Sequence, residues 1–349
     1  MLKNIVETMK NSLNDKLTRR SFLKGLSAAS LSWAFGARSV NAESKGSNVN
    51  RGDAMTAEVA VVKTDSRKEG IEKALSLLDI DEEFAQKEVL IKPNFNTADP
   101  FPASTHNDTL IRLVKELRDR GAGAITLGER SGPPPTEEVF ADKGIYRLSE
   151  ELDFDLVNFD QLSEEDLPLQ RPENSHWRDG FRVARPILET EKIVSTCCLK
   201  THQYGGEFTM SLKLSVGIVP RRGYGYMSEL HSSPHMREMI AEINQVYSPD
   251  LILMDAMEVF TDGGPSSGER KRANLIIAGR DRVAIDVVGI AVLKSLGSNR
   301  EIMGTEAFQQ EQIKRAVELN LGVDDPSKIK LIGNDEGKRM REKIRSNLS

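Results

Sequence analysis

The stretch 192-KIVSTCCLKTHQYGG-206 decides how the chain is read, because an apolar run ends there in ionisable and glycine residues. The run 192–199 is typical of a strand that is buried on both faces. Lys200 and His202 follow it directly. Ligands of open α/β sheets bind in the crevice beyond the carboxyl ends of the strands, so the sequence predicts a pocket at this point. The alternative is a charged turn that merely leaves the sheet.

Apolar runs and segments of helical period alternate along the rest of the chain. Strands are predicted at 58–64, 88–95, 124–128, 154–159, 192–199, 250–254, 273–278 and 329–332, with an edge strand at 181–186. Helices are predicted at 68–78, from 105, from 136, from 233 to 247, from 281 to 296 and at 304–320. This order predicts an α/β fold, with a mostly parallel open sheet, helices on both faces and right-handed βαβ crossovers.

The first 42 residues have the pattern of an export signal. Arg19 and Arg20 form a twin-arginine motif, and a mildly apolar run at 25–37 and small residues before position 43 follow it. The run is too short for a permanent membrane span. We therefore expect a twin-arginine (Tat) signal peptide at 1–42, the Tat translocase as a partner during export, and a periplasmic or otherwise exported product. A flexible leader (43–57), a single α/β domain (58–335) and a charged tail (336–349) complete the predicted organisation.

The charge balance limits the partners of the exported chain. The full sequence has 48 basic and 53 acidic residues, and removing 1–42 leaves 41 and 51, a net charge of −10. A chain with this charge is not expected to bind nucleic acid or anionic membranes non-specifically. No later segment is apolar and long enough to predict a permanent membrane span.

The two cysteines are adjacent, at Cys197 and Cys198. Two thiols cannot ligate an iron–sulfur cluster alone, so no such cluster is expected from this chain. A vicinal disulfide with a redox role is one interpretation. The favoured interpretation is two small buried hydrophobic residues, since free cysteine packs well in strands.

Two groups of side chains could carry chemistry. Lysine, histidine and amide donors suit a small anionic ligand such as a carboxylate or a phosphate, and glycines let a backbone approach it. Carboxylates could instead bind a divalent metal, whose identity the sequence does not define. The predicted catalytic residues are His202 and Lys200, the predicted substrate-binding residues are Lys92, Asn94, Thr105, Lys213 and Gly264, and the candidate metal ligands are Glu129, Asp255 and Asp286.

Several of these residues lie in spaced motifs that resemble the family called domain of unknown function 362. The resemblance spans roughly residues 58 to 300 and implies the fold and the place of the site, but no particular reaction. Leu214 and Ala256 stand where family members often have Asn and Gly, and the ferredoxin-like cysteine module of many relatives is absent from this sequence. The motifs are Lys92-Pro93-Asn94, Thr105, Lys200-Thr201-His202, Ser211-Leu212-Lys213, Gly264-Pro265 with Gly268, and Asp281 with Ala284-Ile285-Asp286.

Three functions are compatible with this pattern. The first is an exported enzyme that acts on a small anionic substrate, in which Lys92 and Lys200 hold the anion and His202 moves a proton. The second is a periplasmic binding or maturation protein that uses the same donors without turnover, and the third is a redox protein that uses Cys197 and Cys198. The first requires the donors to meet in one pocket. Six residues are accordingly expected along one edge of the sheet: Lys92, Thr105, Glu129, Lys200, Asp255 and Asp281.

Overall fold

The computed structural model describes residues 56–205 and 207–348. The predicted signal peptide and nearly all of the predicted leader lie outside these residues. In the described part of the chain, no helix is long and apolar enough to cross a membrane.

A large mixed sheet, mostly parallel, forms the centre of the fold. Its strands stand in the order β11-β1-β10-β9-β7-β2-β3-β4, and β8 pairs with β7. The short strands β5 and β6 form a separate two-stranded sheet. The strands are β1 (Ala57–Lys63), β2 (Val89–Lys92), β3 (Ile125–Glu129), β4 (Asp155–Asn158), β5 (Leu169–Gln170), β6 (Phe181–Arg182), β7 (Lys192–His202), β8 (Glu207–Thr209), β9 (Leu251–Gly263), β10 (Gly268–Gly279) and β11 (Ile329–Ile332).

Helices cover both faces of the main sheet, as the sequence predicts. The first four pack over one face, and the long apolar helix α9 packs over the other with α6, α11 and α12. The helices are α1 (Arg67–Leu77), α2 (Asn107–Asp119), α3 (Thr136–Asp142), α4 (Ile145–Leu152), α5 (Arg185–Glu189), α6 (Ser211–Leu214), α7 (Tyr226–Ser232), α8 (Met236–Ile243), α9 (Arg282–Leu296), α10 (Arg300–Gly304), α11 (Glu311–Glu318) and α12 (Lys338–Arg345).

The strand β7 shows how the alternation of side chains builds these two layers. Cys197 lies in the core on the α9 face and Cys198 in the core on the α2 face. Successive strand residues point to opposite faces, which is why a run of apolar residues is needed where both faces are covered. Hydropathy therefore locates β7, although the strand continues to His202, three residues beyond its predicted end.

The expectation that Asp281 lies at the same edge of the sheet as Lys200 is wrong. Strands β9 and β10 form a long antiparallel hairpin that pairs Gly268 with Gly263 and Gly279 with Ile252. The carboxyl end of β10 consequently lies where β9 begins, and Asp281 lies at the opposite edge of the sheet from Lys200. Asp281 instead caps α9 by accepting a hydrogen bond from the Ala284 amide at 2.8 Å. Hydropathy with a period of two locates a strand but does not encode its direction.

Three local assignments also differ from the sequence predictions. His106, and not Thr105, caps α2, because its side chain accepts the Asp108 amide. The predicted helix at 304–320 begins at the last residue of α10 and is interrupted by a short turn before α11, and α5, α6 and α7 were not predicted. In the predicted charged tail, the Ile344 side chain of α12 is fully buried in the core beside α9.

Candidate functional site

The order of the strands places a crevice between β2 and β7. The chain runs from β2 through α2 to β3 on one side, whereas β7 has β9 as its parallel neighbour on the other side. Strand order therefore reverses between β2 and β7, and such switch points are where open α/β sheets bind ligands. Lys92 is the last residue of β2, and β7 ends with Lys200, Thr201 and His202.

Lys200 is completely buried at this crevice. Its ammonium group donates to Asn94 Oδ1 at 3.2 Å, to the Ala103 carbonyl and to the Pro265 carbonyl at 3.2 Å. These neutral acceptors use all three protons of the ammonium. Burial lowers the pKa of Lys200 to about 8. Lys200 thus ties the loop after β2 to the turn between β9 and β10 and adds positive charge to the crevice.

Lys92 is committed to a different partner. Its ammonium pairs with the Glu129 carboxylate at the end of β3 and donates to the Pro93 carbonyl at 2.9 Å. Glu129 also accepts the amides of Phe95 at 2.9 Å and Arg130 at 2.8 Å. Burial lowers the pKa of Lys92 and raises that of Glu129, while their mutual attraction acts against both shifts. This buried ion pair links the carboxyl end of β2 to that of β3.

Lys213 is the cation in this region that lacks such partners. It lies on α6 and is partly exposed, and within residues 56–205 and 207–348 its ammonium makes no hydrogen bond or ion pair. Burial is the main cause that lowers the pKa of Lys213 to about 8, and the nearby charges of Lys200 and Arg130 act in the same direction. A cluster of like charges of this kind favours a bound anion.

His202 completes the cluster as a neutral side chain. Burial and the charges of Lys213 and Lys200 lower its pKa to about 2. Its Nδ1 accepts a hydrogen bond from the Tyr204 amide at 3.3 Å. An imidazole that accepts at Nδ1 carries its proton on Nε2. His202 is therefore equipped to donate a hydrogen bond from Nε2, and the lone pair at Nδ1 is already engaged.

The other predicted ligand-binding residues hold the frame of the site. Thr105 Oγ1 accepts the Asn94 amide at 2.9 Å and donates to the Thr196 carbonyl at 3.3 Å, which joins the loop after β2 to β7. Gly264 has a φ of +75°, and a Cβ there would lie 2.0 Å from the Thr201 carbonyl oxygen. The turn can approach β7 this closely only with glycine at this position.

The three predicted metal ligands are placed with separate partners. Glu129 pairs with Lys92, as described above. Asp255 lies inside β9 and accepts Arg67 Nε at 2.8 Å and Thr109 Oγ1 at 2.5 Å. Asp286 accepts the amides of Ser211 at 2.7 Å and Leu212 at 3.0 Å. Among the residues that the structure describes, no group of three or more His, Cys, Asp or Glu side chains could hold a metal ion.

The two cysteines are buried free thiols. Burial raises the pKa of Cys197 well above its ordinary value and that of Cys198 to about 11. A thiolate is the reactive form of cysteine, and these environments disfavour it. Since the two side chains also lie on opposite faces of β7, the geometry supports packing and not exchange chemistry.

Two residues near the site were not predicted from the sequence. Arg130 is buried directly after Glu129, and its guanidinium donates to the carbonyls of Val219 at 2.8 Å and Val216. Thr209 stands opposite Lys200 in the β7–β8 pair, so the two side chains share a face. Its buried hydroxyl has no hydrogen-bond partner among the described residues. An arginine just past a strand end is a signal that could have been used, but an unpaired hydroxyl is visible only in three dimensions.

Two cavities are open at the carboxyl ends of parallel strands. One, of about 500 Å³, is lined by the loops after β2 and β3 and includes Asp99. The Asp99 carboxylate is close enough to raise the pKa of Lys200 slightly against the effect of burial. The other, of about 1080 Å³, lies beyond β1 and β11 and does not adjoin the lysine cluster. Neither cavity is lined by Lys92, Lys200, His202 or Lys213, so the chemistry of the side chains, and not a cavity, places the candidate site.

Fold and site together define an α/β protein with a cationic crevice at the switch point of a mostly parallel sheet. The family model described as "Domain of unknown function (DUF362)" matches residues 89–291, more than half of the chain. The chain belongs to that family, as its motifs predict. The matched span includes Lys92, Lys200, His202 and Lys213.

Comparison with other known proteins adds two similar folds. The lactate racemase apoprotein from Thermoanaerobacterium thermosaccharolyticum is 12% identical, with a TM-score of 0.41 and coverage of 83% of this chain and 86% of the racemase. A protein from Thermotoga maritima is 17% identical, with a TM-score of 0.40, and the match covers 65% of this chain and 56% of that protein. No curated protein sequence matched the chain.

Proposed function

We propose that this protein is an exported enzyme that binds a small carboxylate or phosphate in the crevice between β2 and β7. One observation carries the proposal: Lys213 has no anionic partner among the described residues although the charges of Lys200 and Arg130 are close to it. Like charges a few ångströms apart repel by about 1 to 4 kcal/mol between bulk-water and surface dielectrics. A bound anion removes this repulsion.

The geometry supports a division of roles among the donors. Lys213 and the Nε2 proton of His202 contact the anion directly, because neither is used by another group in the described residues. Lys200 contributes its charge and fixes the surrounding loops, since its three protons already have acceptors. Lys92 supports the strand ends through Glu129. This division differs from the sequence-based assignment, in which Lys92 and Lys200 hold the anion and His202 moves the proton.

The same groups could do chemistry on the bound anion. An amine with a pKa of about 8 exchanges protons readily at neutral pH, which suits Lys213 to general acid–base catalysis. The Nε2 proton of a neutral His202 can stabilise negative charge that develops on an oxygen of the substrate. A binding protein without turnover would use the same donors, and steady-state assays with any ligand that mass spectrometry finds in the purified protein would separate the two functions.

Anions should raise the thermal stability of the protein. We expect acetate, succinate or phosphate, compared at fixed ionic strength, to raise the Tm of the wild type, because a ligand that binds the folded state alone stabilises it. Lys213→Met should lose most of this gain. Lys330→Met removes an exposed lysine of β11 that pairs with Glu58 on β1, and it should keep the gain. Equal stabilisation of the wild type and Lys213→Met would refute the proposal.

We propose that the protein is exported, because Arg19 and Arg20 form a twin-arginine motif in the predicted signal peptide. The translocase reads their guanidinium groups, so Arg19→Lys with Arg20→Lys should leave the precursor in the cytoplasm. Arg38→Lys makes the same kind of change outside the motif and should be processed normally. Cell fractionation and the length of the product measure both outcomes. Normal processing of the double variant would contradict the proposal that the protein is exported by the twin-arginine pathway.

A further inference from the structure

Side chains from other elements fix the position of α6, the helix that carries Lys213. Asp286, on α9, is fully buried and accepts hydrogen bonds from the Ser211 and Leu212 amides at the start of α6. Asn244, just after α8, donates to the Leu212 carbonyl at 3.1 Å and accepts the Ser215 hydroxyl at 2.6 Å. Both ends of α6 are thus fixed by buried side chains from other elements.

This anchoring matters because α6 is only four residues long. A helix of one turn gains too few internal hydrogen bonds to offset the cost of nucleation, so its position depends on tertiary contacts. A carboxylate that accepts two backbone amides is the strongest such contact at its amino end. The placement of Lys213 against Lys200 and Arg130 therefore follows from where α9 holds Asp286.

We propose that Asp286 is a positioning residue for Lys213, which it holds against Lys200 and Arg130 by capping α6 from α9. This inference rests on the proposed function only where it concerns the bound anion. It replaces the metal-ligand role predicted for Asp286 from the sequence. The partners of this buried carboxylate are two backbone amides that lie 75 and 74 residues away along the chain.

Asp286→Asn tests the inference, and Asp281→Asn is its matched control. Asp281 accepts the amides of Ala284 and Val323, both at 2.8 Å, so each substitution weakens two hydrogen bonds from backbone amides to a carboxylate at or near the start of α9. Only Asp286 touches the segment that carries Lys213. In each aspartate the two amides use different carboxylate oxygens, and Asn puts an NH2 donor in place of one of them. Asp286→Glu, which keeps the charge but moves the carboxylate, serves if Asp286→Asn does not fold.

The readout is the pH dependence of acetylation at Lys213, measured with acetic anhydride and peptide mass spectrometry. In the wild type the midpoint should lie near 8. In Asp286→Asn and Asp286→Glu it should move toward the ordinary lysine value of about 10.4, because a displaced Lys213 becomes more exposed to water and leaves the other cations. Loss of a nearby negative charge alone would lower the midpoint, so an upward shift reports displacement. Affinity for phosphate should also fall, because a displaced Lys213 no longer adds its charge to the site.

The outcomes separate the two proposals. An unchanged midpoint in both Asp286 variants, or the same upward shift in Asp281→Asn, would overturn the positioning role. If the midpoint shifts in the Asp286 variants alone but neither the wild type nor any variant binds phosphate, acetate or succinate, the positioning role holds and the proposed function fails.

Discussion

Glu129→Gln should lower the free energy of unfolding by about 3 to 5 kcal/mol, the usual cost of removing one partner of a buried ion pair. Lys92 and Glu129 are 1% and 2% exposed, so water cannot replace the lost partner. The substitution leaves the Lys92 ammonium with the Pro93 carbonyl and a neutral amide, which do not offset the cost of burying a charge. Urea unfolding followed by circular dichroism measures the change.

Two controls define the cause of this loss. Lys92→Met with Glu129→Gln removes both charges but keeps an oxygen that can accept the Phe95 or Arg130 amide, so it should cost less than Glu129→Gln alone. Glu151→Gln breaks the mostly exposed pair with Arg147 and should cost less than about 1 kcal/mol. If the double variant is as unstable as Glu129→Gln, the loss of stability comes from altered contacts at position 129 and not from the unpaired charge of Lys92.

Much of the fold could be predicted because hydropathy reports burial directly. The strand predicted at 329–332 coincides with β11, and the helix predicted from 281 to 296 begins and ends within one residue of α9. Both segments have apolar side chains in the pattern that their surroundings require. The direction of β10 could not be predicted, because antiparallel and parallel strands buried on both faces have similar composition.

The sequence predicted where four candidate residues lie but not the contacts that they make. Lys92, Lys200, His202 and Lys213 do lie around the carboxyl ends of β2 and β7. Which of these lysines has an internal partner depends on contacts with residues as far away as 106 positions, such as that between Lys200 and Asn94. Side-chain type indicates what a residue can bind, whereas the neighbours that decide what it does bind come from the topology of the sheet.

The second large effect is an uptake of protons by Lys200 and Lys213 when an anion binds. The folded pKa values of Lys200 and Lys213 are about 8, so each is about half protonated at pH 8. Their folded pKa values lie below the ordinary lysine value. The unliganded protein therefore gains stability as the pH rises from about 8 to about 10. A bound anion favours the charged forms and raises both pKa values, so protons must enter the site.

Isothermal titration calorimetry of the wild type with succinate tests the central claim most directly, because succinate does not itself titrate at pH 8. Titrations in buffers with different ionisation enthalpies, such as HEPES and Tris, count the protons taken up. We expect uptake of up to about one proton per succinate at pH 8, shared by Lys200 and Lys213, and much less at pH 7, where both lysines are mostly charged and succinate is still ionised. Succinate binding whose heat at pH 8 is independent of the buffer, or no binding of succinate, acetate or phosphate, would contradict an anion site at these lysines.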